Sequence, residues 1–313
     1  MFKTALSILI CTFVSLSVIG QDVQQLRDEA SVFFAKGNLK SALKSIDKAL
    51  KIDTTDCELF RIKAFYLDEN NQSREAYDLL TKTISKFPKV SGLFLDRGNI
   101  FLAWDDYNGA ASDFGKAFEY AENDTMRRLA IMNRGVAKLR RRQFESAYED
   151  LMTAYKYDTN DLATLINLGG ICDEIGRGDE TLTYLLKAVQ VDSTNPGPYV
   201  NIGFKYQHMG EYEKSIPYFD KALKLNPNEP LSYSNRSYSK LKSGDLKGAM
   251  QDIEKSLKLY PNNSWAYKNR GLIFLEQGEK DKACADFRTS LNLGFTTNYG
   301  PEVEQLIEEH CEN

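Results

Sequence analysis

Side-chain amides recur at one fixed spacing along the chain. Successive members lie thirty-four positions apart, at Asn133, Asn167, Asn201, Asn235 and Asn269, and Asp96 stands thirty-seven positions before the first of them. An amide both donates and accepts hydrogen bonds, so it can pair with the N–H and the C=O of a polypeptide backbone. Presented along one wall, such a series would suit an extended ligand. The alternative, that Asn packs or caps locally at this position, stays open.

A second pattern joins four arginines to four aspartates. Each Arg is followed sixteen residues later by an Asp, in the pairs Arg97 and Asp113, Arg134 and Asp150, Arg236 and Asp252, and Arg270 and Asp286. Where the same two positions recur without Arg and Asp, the chain has Leu168 with Tyr184, and Ile202 with Tyr218. This exchange predicts that the two positions touch, as a structural ion pair or as an apolar contact. A row of anion-binding groups is the alternative, but an Arg that faces a packed neighbour needs a carboxylate.

Charge and motifs argue against nucleic acid and against catalysis. The chain has 40 Lys and Arg against 44 Asp and Glu, a formal charge of −4, which gives no basic surface for nucleic acid. The sequence contains no nucleophile elbow, no phosphate-binding glycine loop and no HExxH motif, and no two cysteines have CxxC spacing. We therefore expect no enzyme activity, no cofactor and no metal site.

The recurring positions belong to one internal repeat. Eight units begin near residues 23, 57, 91, 128, 162, 196, 230 and 264, and three extra residues fall in a turn at 123–127. Within a unit, apolar residues recur twice at helical spacing around a glycine turn such as Met209-Gly210-Glu211. Each unit is thus predicted to be a helix hairpin that buries both faces only against its neighbours. The predicted fold class is all-α.

The unit resembles the tetratricopeptide repeat. The segment Tyr233-Ser234-Asn235-Arg236-Ser237, followed by Gly244, Ala249 and Pro261, matches the pattern of that family. The segment Tyr267-Lys268-Asn269-Arg270-Gly271, followed by Gly278 and Ala283, matches it too. The resemblance implies a right-handed solenoid of about eight hairpins over residues 21–298, in a family that binds other proteins.

The same resemblance implies which residues face the concave groove. It places there the series Asp96, Asn133, Asn167, Asn201, Asn235 and Asn269, together with Phe204, His208, Tyr238 and Trp265. Aromatic groups exposed in the groove would anchor a partner's side chains, and contact between adjacent first helices is the alternative. The family's carboxylate clamp is absent, because Val200 and Phe204 precede Asn235 and Trp265 follows it. An acidic chaperone C-terminus is therefore not implied as the ligand.

The first twenty residues have the layout of a secretory signal peptide. Lys3 precedes an apolar run that extends to Ile19, and small Gly20 stands before polar Gln21. We expect cleavage near Gly20 and export to the periplasm or the extracellular space. No later stretch is apolar enough to cross a bilayer, so we expect no transmembrane span in the mature chain.

Residues 299–313 are predicted to form a helix that caps the last hairpin. If this helix runs antiparallel to the preceding one around a turn near Thr297, Cys284 and Cys311 lie level with each other, because they are almost equally far from that turn along the chain. We expect a disulfide between them in an exported chain, and two buried thiols are the alternative.

These patterns favour an exported scaffold that binds a protein or peptide along its concave face. The first alternative is a structural subunit of a cell-envelope assembly that docks through its convex or lateral surfaces. A hydrolase or carbohydrate-active protein is a further alternative, for which the sequence offers no site. Partner contacts from the first helices would favour the scaffold, and contacts from the second helices would favour the structural subunit.

Overall fold

The computed structural model describes residues 20–311 of the 313-residue chain. Every regular element in this range is a helix, which confirms the predicted all-α fold. Residues 1–19, on which nearly all of the predicted signal peptide falls, and residues 312–313 lie outside the described range. Between residues 20 and 311, no helix is both long and apolar enough to cross a membrane. The chain divides into two compact units, with the boundary after Asp158.

The first unit consists of four helix hairpins. Within each hairpin the two helices pack together, and the second helix of each of the first three hairpins also contacts the first helix of the next one. The first helices of the second, third and fourth hairpins contact one another in series. The helices are α1 (20–35), α2 (Leu39–Ile52), α3 (Cys57–Glu69), α4 (Ser73–Lys86), α5 (Ser91–Ala103), α6 (Tyr107–Glu119), α7 (Asp124–Arg140) and α8 (Phe144–Tyr157).

The second unit contains four further hairpins and two C-terminal helices. Its first helices again contact one another in series, and its second helices lie behind them. A short 3₁₀ helix, Cys172–Ile175, extends the first of these helices. The helices are α9 (Leu162–Ile171), α10 (Thr181–Val191), α11 (Pro196–His208), α12 (Tyr212–Leu225), α13 (Pro230–Lys242), α14 (Leu246–Leu259), α15 (Ser264–Glu276), α16 (Lys280–Asn292), α17 (Phe295–Tyr299) and α18 (Glu302–Cys311).

Each hairpin turn contains one residue in the left-handed backbone conformation. Glycine adopts this conformation without steric cost, and five of the eight positions are glycine. Arg142 adopts it with φ of 56°, although its Cβ makes that conformation cost roughly 1 kcal/mol. The eight positions follow the period of the repeat: Gly37, Asn71, Asp105, Arg142, Gly176, Gly210, Gly244 and Gly278.

A second glycine series, inside the first helices, is explained by packing. Gly98, Gly203 and Gly271 each face a Phe that follows sixteen residues later. A Cβ at Gly203 would lie 2.7 Å from the ring of Phe219, and one at Gly271 would lie 2.5 Å from the ring of Phe287. Both rings are fully buried. These glycines mark the place where the second helix of a hairpin packs most tightly on the first.

The helix α7 differs from the prediction at its start. It begins at Asp124, four residues before the predicted start at Arg128, and has 17 residues where α5 and α11 have 13. The side chain of Asn123 caps this additional turn by accepting a hydrogen bond of 2.9 Å from the backbone N–H of Met126. The three extra residues, expected in a turn, therefore lengthen the helix.

The two C-terminal helices close the second unit. Phe295 of α17 and Val303 of α18 pack against Phe287 of the last hairpin, and all three side chains are fully buried. Cys311, the last residue of α18, forms a disulfide with Cys284 of α16. The predicted disulfide is thus present, and α17 is an element that the sequence pattern did not predict.

Candidate functional site

A cavity of about 380 Å³ opens in the second unit, where α11, α13 and α15 lie side by side. Its lining is mostly apolar and includes Val200, Phe204, Leu231, Trp265 and Tyr299. Phe204, Leu231 and Tyr299 are 36%, 46% and 54% exposed. Large apolar side chains left in water around a cavity are a feature of binding sites.

Two amides of the predicted series contribute to the polar part of this cavity. Asn201 of α11 and Asn235 of α13 both line it, and neither side chain has a hydrogen-bond partner among residues 20–311. Asn235 is only 5% exposed. Its backbone is fixed, because its C=O accepts a hydrogen bond of 2.7 Å from Gln207 Nε2. Because the amide of Asn235 has no partner among the described residues, it is a place where a ligand group can bind.

The C-terminal helices hold one wall of the cavity. The ring of Trp265 stacks on that of Phe295 with centroids 5.4 Å apart and an interplanar angle of 17°. Tyr299 meets the same indole edge-on at 5.2 Å. Because Phe295 is buried in the core beneath α18, the position of Trp265 is set by the fold itself.

The structure brings some of the predicted contact residues together and separates others. His208, the last residue of α11, is exposed to solvent away from the cavity lining. Tyr238 packs edge-on against Tyr212, with ring centroids 5.9 Å apart. The predicted contact residues that do line the cavity are Asn201, Phe204, Asn235 and Trp265.

Two exposed apolar residues of the cavity, Leu231 and Tyr299, are not among the predicted contacts. Leu231 lies in the first turn of α13, where the sequence pattern predicted no exposed anchor. Tyr299 ends α17, beyond the last repeat, so the period of the repeat could not assign it to any face. The sequence feature that could have indicated Tyr299 is an aromatic residue shortly after the last repeat.

Two other amides of the predicted series are bonded within the protein. Asn167 Nδ2 donates a hydrogen bond of 2.9 Å to the C=O of Ala163, four residues earlier in the same helix. In the first unit, Asn133 Nδ2 lies 3.4 Å from Asn99 Oδ1. At Asn167 and Asn133 the amide therefore contacts a neighbouring residue of the protein, as expected if Asn packs locally at this position of the repeat.

Asn269 and Asp96 are both bonded to other residues of the protein. Asn269 is fully buried, and its Nδ2 donates a hydrogen bond of 3.0 Å to the C=O of Ser234. Asp96 accepts hydrogen bonds from Arg61, with Nε at 2.6 Å and Nη2 at 3.2 Å. Burial raises the pKa of Asp96, and this ion pair acts in the opposite direction. The period of the repeat sets the face of a helix but not the neighbour that covers it.

Three sequence-family models match within this unit. All three describe the tetratricopeptide repeat, and they match residues 198–229, 231–263 and 253–285. The chain contains tetratricopeptide repeats. A search of curated proteins finds no significant match.

Solved structures of other proteins show a similar fold. The Cut9–Hcn1 hetero-tetramer of the APC/C has a TM-score of 0.68 at 17% identity, over 92% of this chain and 55% of that one. This chain thus spans about half the length of that neighbour. Pseudomonas aeruginosa pilF has a TM-score of 0.58 at 21% identity, over 70% and 97% of the two chains. A tetratricopeptide repeat protein from Cytophaga hutchinsonii, solved as its C-terminal part, has a TM-score of 0.53 at 22% identity, over 78% of this chain and 98% of that one.

The four Arg–Asp pairs of this repeat protein lie inside its hairpins. In each, the Arg on the first helix donates from Nε and Nη2 to both oxygens of the Asp on the second, and the Asp is 5% or 6% exposed. In the first, Nε lies 2.7 Å and Nη2 2.8 Å from the carboxylate. The guanidinium groups are therefore committed to internal partners and do not form a row of free anion-binding groups. The pairs are Arg97–Asp113, Arg134–Asp150, Arg236–Asp252 and Arg270–Asp286.

A buried lysine lies behind the Trp265 wall. Lys268 Nζ is 4.0 Å from the centre of the Trp265 ring and 4.9 Å from that of Tyr238. It donates to Glu302 of α18, with Oε1 at 3.1 Å and Oε2 at 3.3 Å. Burial lowers the pKa of Lys268, and Glu302 acts in the opposite direction. The lysine ties the C-terminal helix to the helix that carries the cavity wall, so it supports the site from behind.

Proposed function

We propose that this tetratricopeptide repeat protein is an exported scaffold that binds a protein or peptide on the face formed by its first helices. The observation that carries the proposal is the cavity of the second unit, which gathers Asn201, Phe204, Asn235 and Trp265. Repeat proteins bind partners on the extended surfaces of stacked units. An apolar cavity with a few fixed polar groups is the usual form of a specific binding site.

Export is supported by two features of the sequence and the fold. Residues 1–20 have the pattern of a secretory signal, and the disulfide between Cys284 and Cys311 is of a kind that persists in oxidising compartments. We expect the protein to be recovered from the periplasm or the medium with Gln21 at its N-terminus. An intact-mass measurement tests this, and a cytosolic chain that retains residues 1–20 would contradict it.

Site-specific crosslinking tests the proposed binding face. A photoreactive phenylalanine analogue replaces Phe204 of the exported chain, on α11 at the cavity. The matched control replaces Leu186, which lies on the second helix α10 and is 41% exposed. We expect a partner from an envelope extract to crosslink at position 204 and not at position 186. Crosslinks at position 186 alone would favour the structural subunit that docks through its second helices.

A further inference from the structure

We infer that the cavity of the second unit binds one bulky apolar side chain of an extended peptide, and that Asn235 pairs with the backbone of that same segment. This inference rests on the proposed function and specifies the ligand. Val200, Phe204, Leu231 and Trp265 supply the apolar contacts. At about 380 Å³ the cavity is near the lower end of the roughly 300–1,000 Å³ of small-ligand sites, so it suits one anchor side chain and not a helix face.

The amide of Asn235 determines the backbone conformation of the ligand. Asn235 lines the cavity and is 5% exposed as a whole residue, and its side chain has no hydrogen-bond partner within residues 20–311. One Nδ2–H can donate to a ligand C=O while Oδ1 accepts from a ligand N–H. In a helix these backbone groups are already paired with each other. An extended segment, in contrast, brings both groups free to Asn235.

The charges around the cavity determine the type of anchor. No Lys, Arg or His is among the residues that line it, and the carboxylate of Glu229 caps α13 by accepting from the backbone N–H of Ser232. The nearest buried cation, Lys268, is paired with Glu302 behind Trp265. An acidic side chain or a free C-terminal carboxylate would therefore lose its hydration without gaining a counter-charge. The anchor is uncharged: Leu, Phe or Trp.

The far wall of the cavity is held in place, because it belongs to the core. Trp265 is stacked on buried Phe295, and α18 behind it is joined to α16 by the disulfide. A wall that does not have to be ordered on binding lets the apolar contacts contribute fully to affinity. The site therefore selects for side-chain size, since the wall cannot move to fit a smaller anchor.

Peptide selection followed by chemical variation tests the inference on the exported chain. Random dodecapeptides displayed on phage are selected against the immobilised protein, and a selected peptide is measured by fluorescence anisotropy. We expect one position to be enriched in Leu, Phe or Trp. Its change to Ala should weaken binding about tenfold or more, the equivalent of losing one well-buried side chain. Its change to Asp should abolish binding.

A coupling experiment isolates the contact with Asn235. N-methylation of the anchor's backbone amide should weaken binding to the wild type about tenfold and have little effect on Asn235→Ala, because both changes remove the same hydrogen bond. Asn167→Ala is the control, because that amide is bonded to its own helix, and it should respond like the wild type. Circular dichroism confirms that both variants are folded.

The outcomes separate this inference from the proposed function. Selected peptides that bind and compete with the envelope partner, but that carry a charged anchor or bind as a helix, would overturn the inference and leave the binding face intact. If Leu231→Asp leaves every peptide and the partner bound as before, the cavity is not the binding face, and the proposed function fails with it. An effect of N-methylation that persists in Asn235→Ala would overturn the backbone contact.

Discussion

Lys268 of α15 and Glu302 of α18 form an ion pair whose two ends differ sharply in exposure. The ammonium lies 3.1 Å from Glu302 Oε1. The Lys268 side chain is 1% exposed and that of Glu302 is 47% exposed. Apart from this carboxylate, the ammonium contacts the faces of Trp265 and Tyr238, which offset part of its lost hydration. The cost of burial therefore falls almost entirely on the lysine.

This asymmetry predicts that the two ends respond differently to mutation. Glu302→Gln keeps the shape but leaves the buried ammonium without a counter-charge, and should cost about 1–3 kcal/mol of stability. Lys268→Met removes the buried charge and leaves Glu302 in water, so it should cost less than about 1 kcal/mol or stabilise. Urea unfolding measures both. Glu308→Gln, an exposed position on the same helix, should change nothing, and equal losses from Glu302→Gln and Lys268→Met would contradict the asymmetry.

The same lysine should make stability depend on pH in the alkaline range. Burial lowers the pKa of Lys268 below its ordinary value of 10.5, so between the two values the unfolded chain binds more protons than the folded one. Stability from this group therefore rises with pH in that window and levels off near 10.5. Tyr238, which faces the lysine, acts in the opposite direction at higher pH, because burial raises its pKa to about 12. Lys242 and Glu302 are the other charged groups near the ammonium.

The measurement compares urea unfolding of the wild type and Lys268→Met at several pH values. All of them lie below about 10, because the ordinary lysines of the chain begin to lose their protons there. The wild type should gain stability relative to the variant as the pH rises. A second comparison in the Tyr238→Phe background removes the tyrosine and should show the same gain. A difference between wild type and variant that stays constant with pH would show that the lysine keeps its ordinary pKa.

The repeat made the hairpins and part of the cavity predictable from the sequence. Residues one repeat apart occupy equivalent positions, so Asn201 and Asn235 could be assigned to one face before the structure was known. Asn269 has the same phase but is covered, because it bonds to the backbone of α13, where buried Ser232 and Ser234 leave room for a close approach. How closely two neighbouring first helices approach each other depends on the size of the side chains between them, which the period of the repeat does not determine. Tyr299 lies outside the repeat, and no period could place it.

Two neighbouring glycines of α9 should respond in opposite directions to the same substitution. A Cβ at Gly169 would lie 2.5 Å from Cγ of the buried Leu185, whereas one at Gly170 would have no atom within 4 Å. Gly169→Ala should therefore cost about 1–3 kcal/mol through overpacking. Gly170→Ala should stabilise by roughly 0.5–1 kcal/mol, because Ala restricts the unfolded chain and favours the helix.

Thermal and urea unfolding of the two variants check this pair. Because both lie in one helix, differences in helix propensity cancel and packing alone separates them. In the Gly169→Ala background, Leu185→Ala should cost less than it does in the wild type, since the smaller side chain relieves the overlap. Similar effects of Ala at both glycines would show that the recurring glycines of the first helices are not required for close packing.

The Arg–Asp pairs of the first unit should differ in strength according to whether a second cation is present. Asp113 is bonded to Arg97 alone among the described residues, whereas Asp150 also has Lys138 Nζ at 2.7 Å. Arg97→Met would leave a carboxylate that is 5% exposed without a cation and should cost about 3–5 kcal/mol. Arg134→Met leaves Lys138 in place and should cost about 1–2 kcal/mol.

Urea unfolding of single and double variants tests this difference. Adding Lys138→Met to Arg134→Met should raise the loss to that of Arg97→Met, because Asp150 then has no cation either. The control is Arg74→Met, which breaks an exposed pair with Asp78 and should cost less than about 1 kcal/mol. If Arg97→Met and Arg134→Met destabilise equally, Lys138 does not replace the guanidinium, and the two pairs are alike despite their different surroundings.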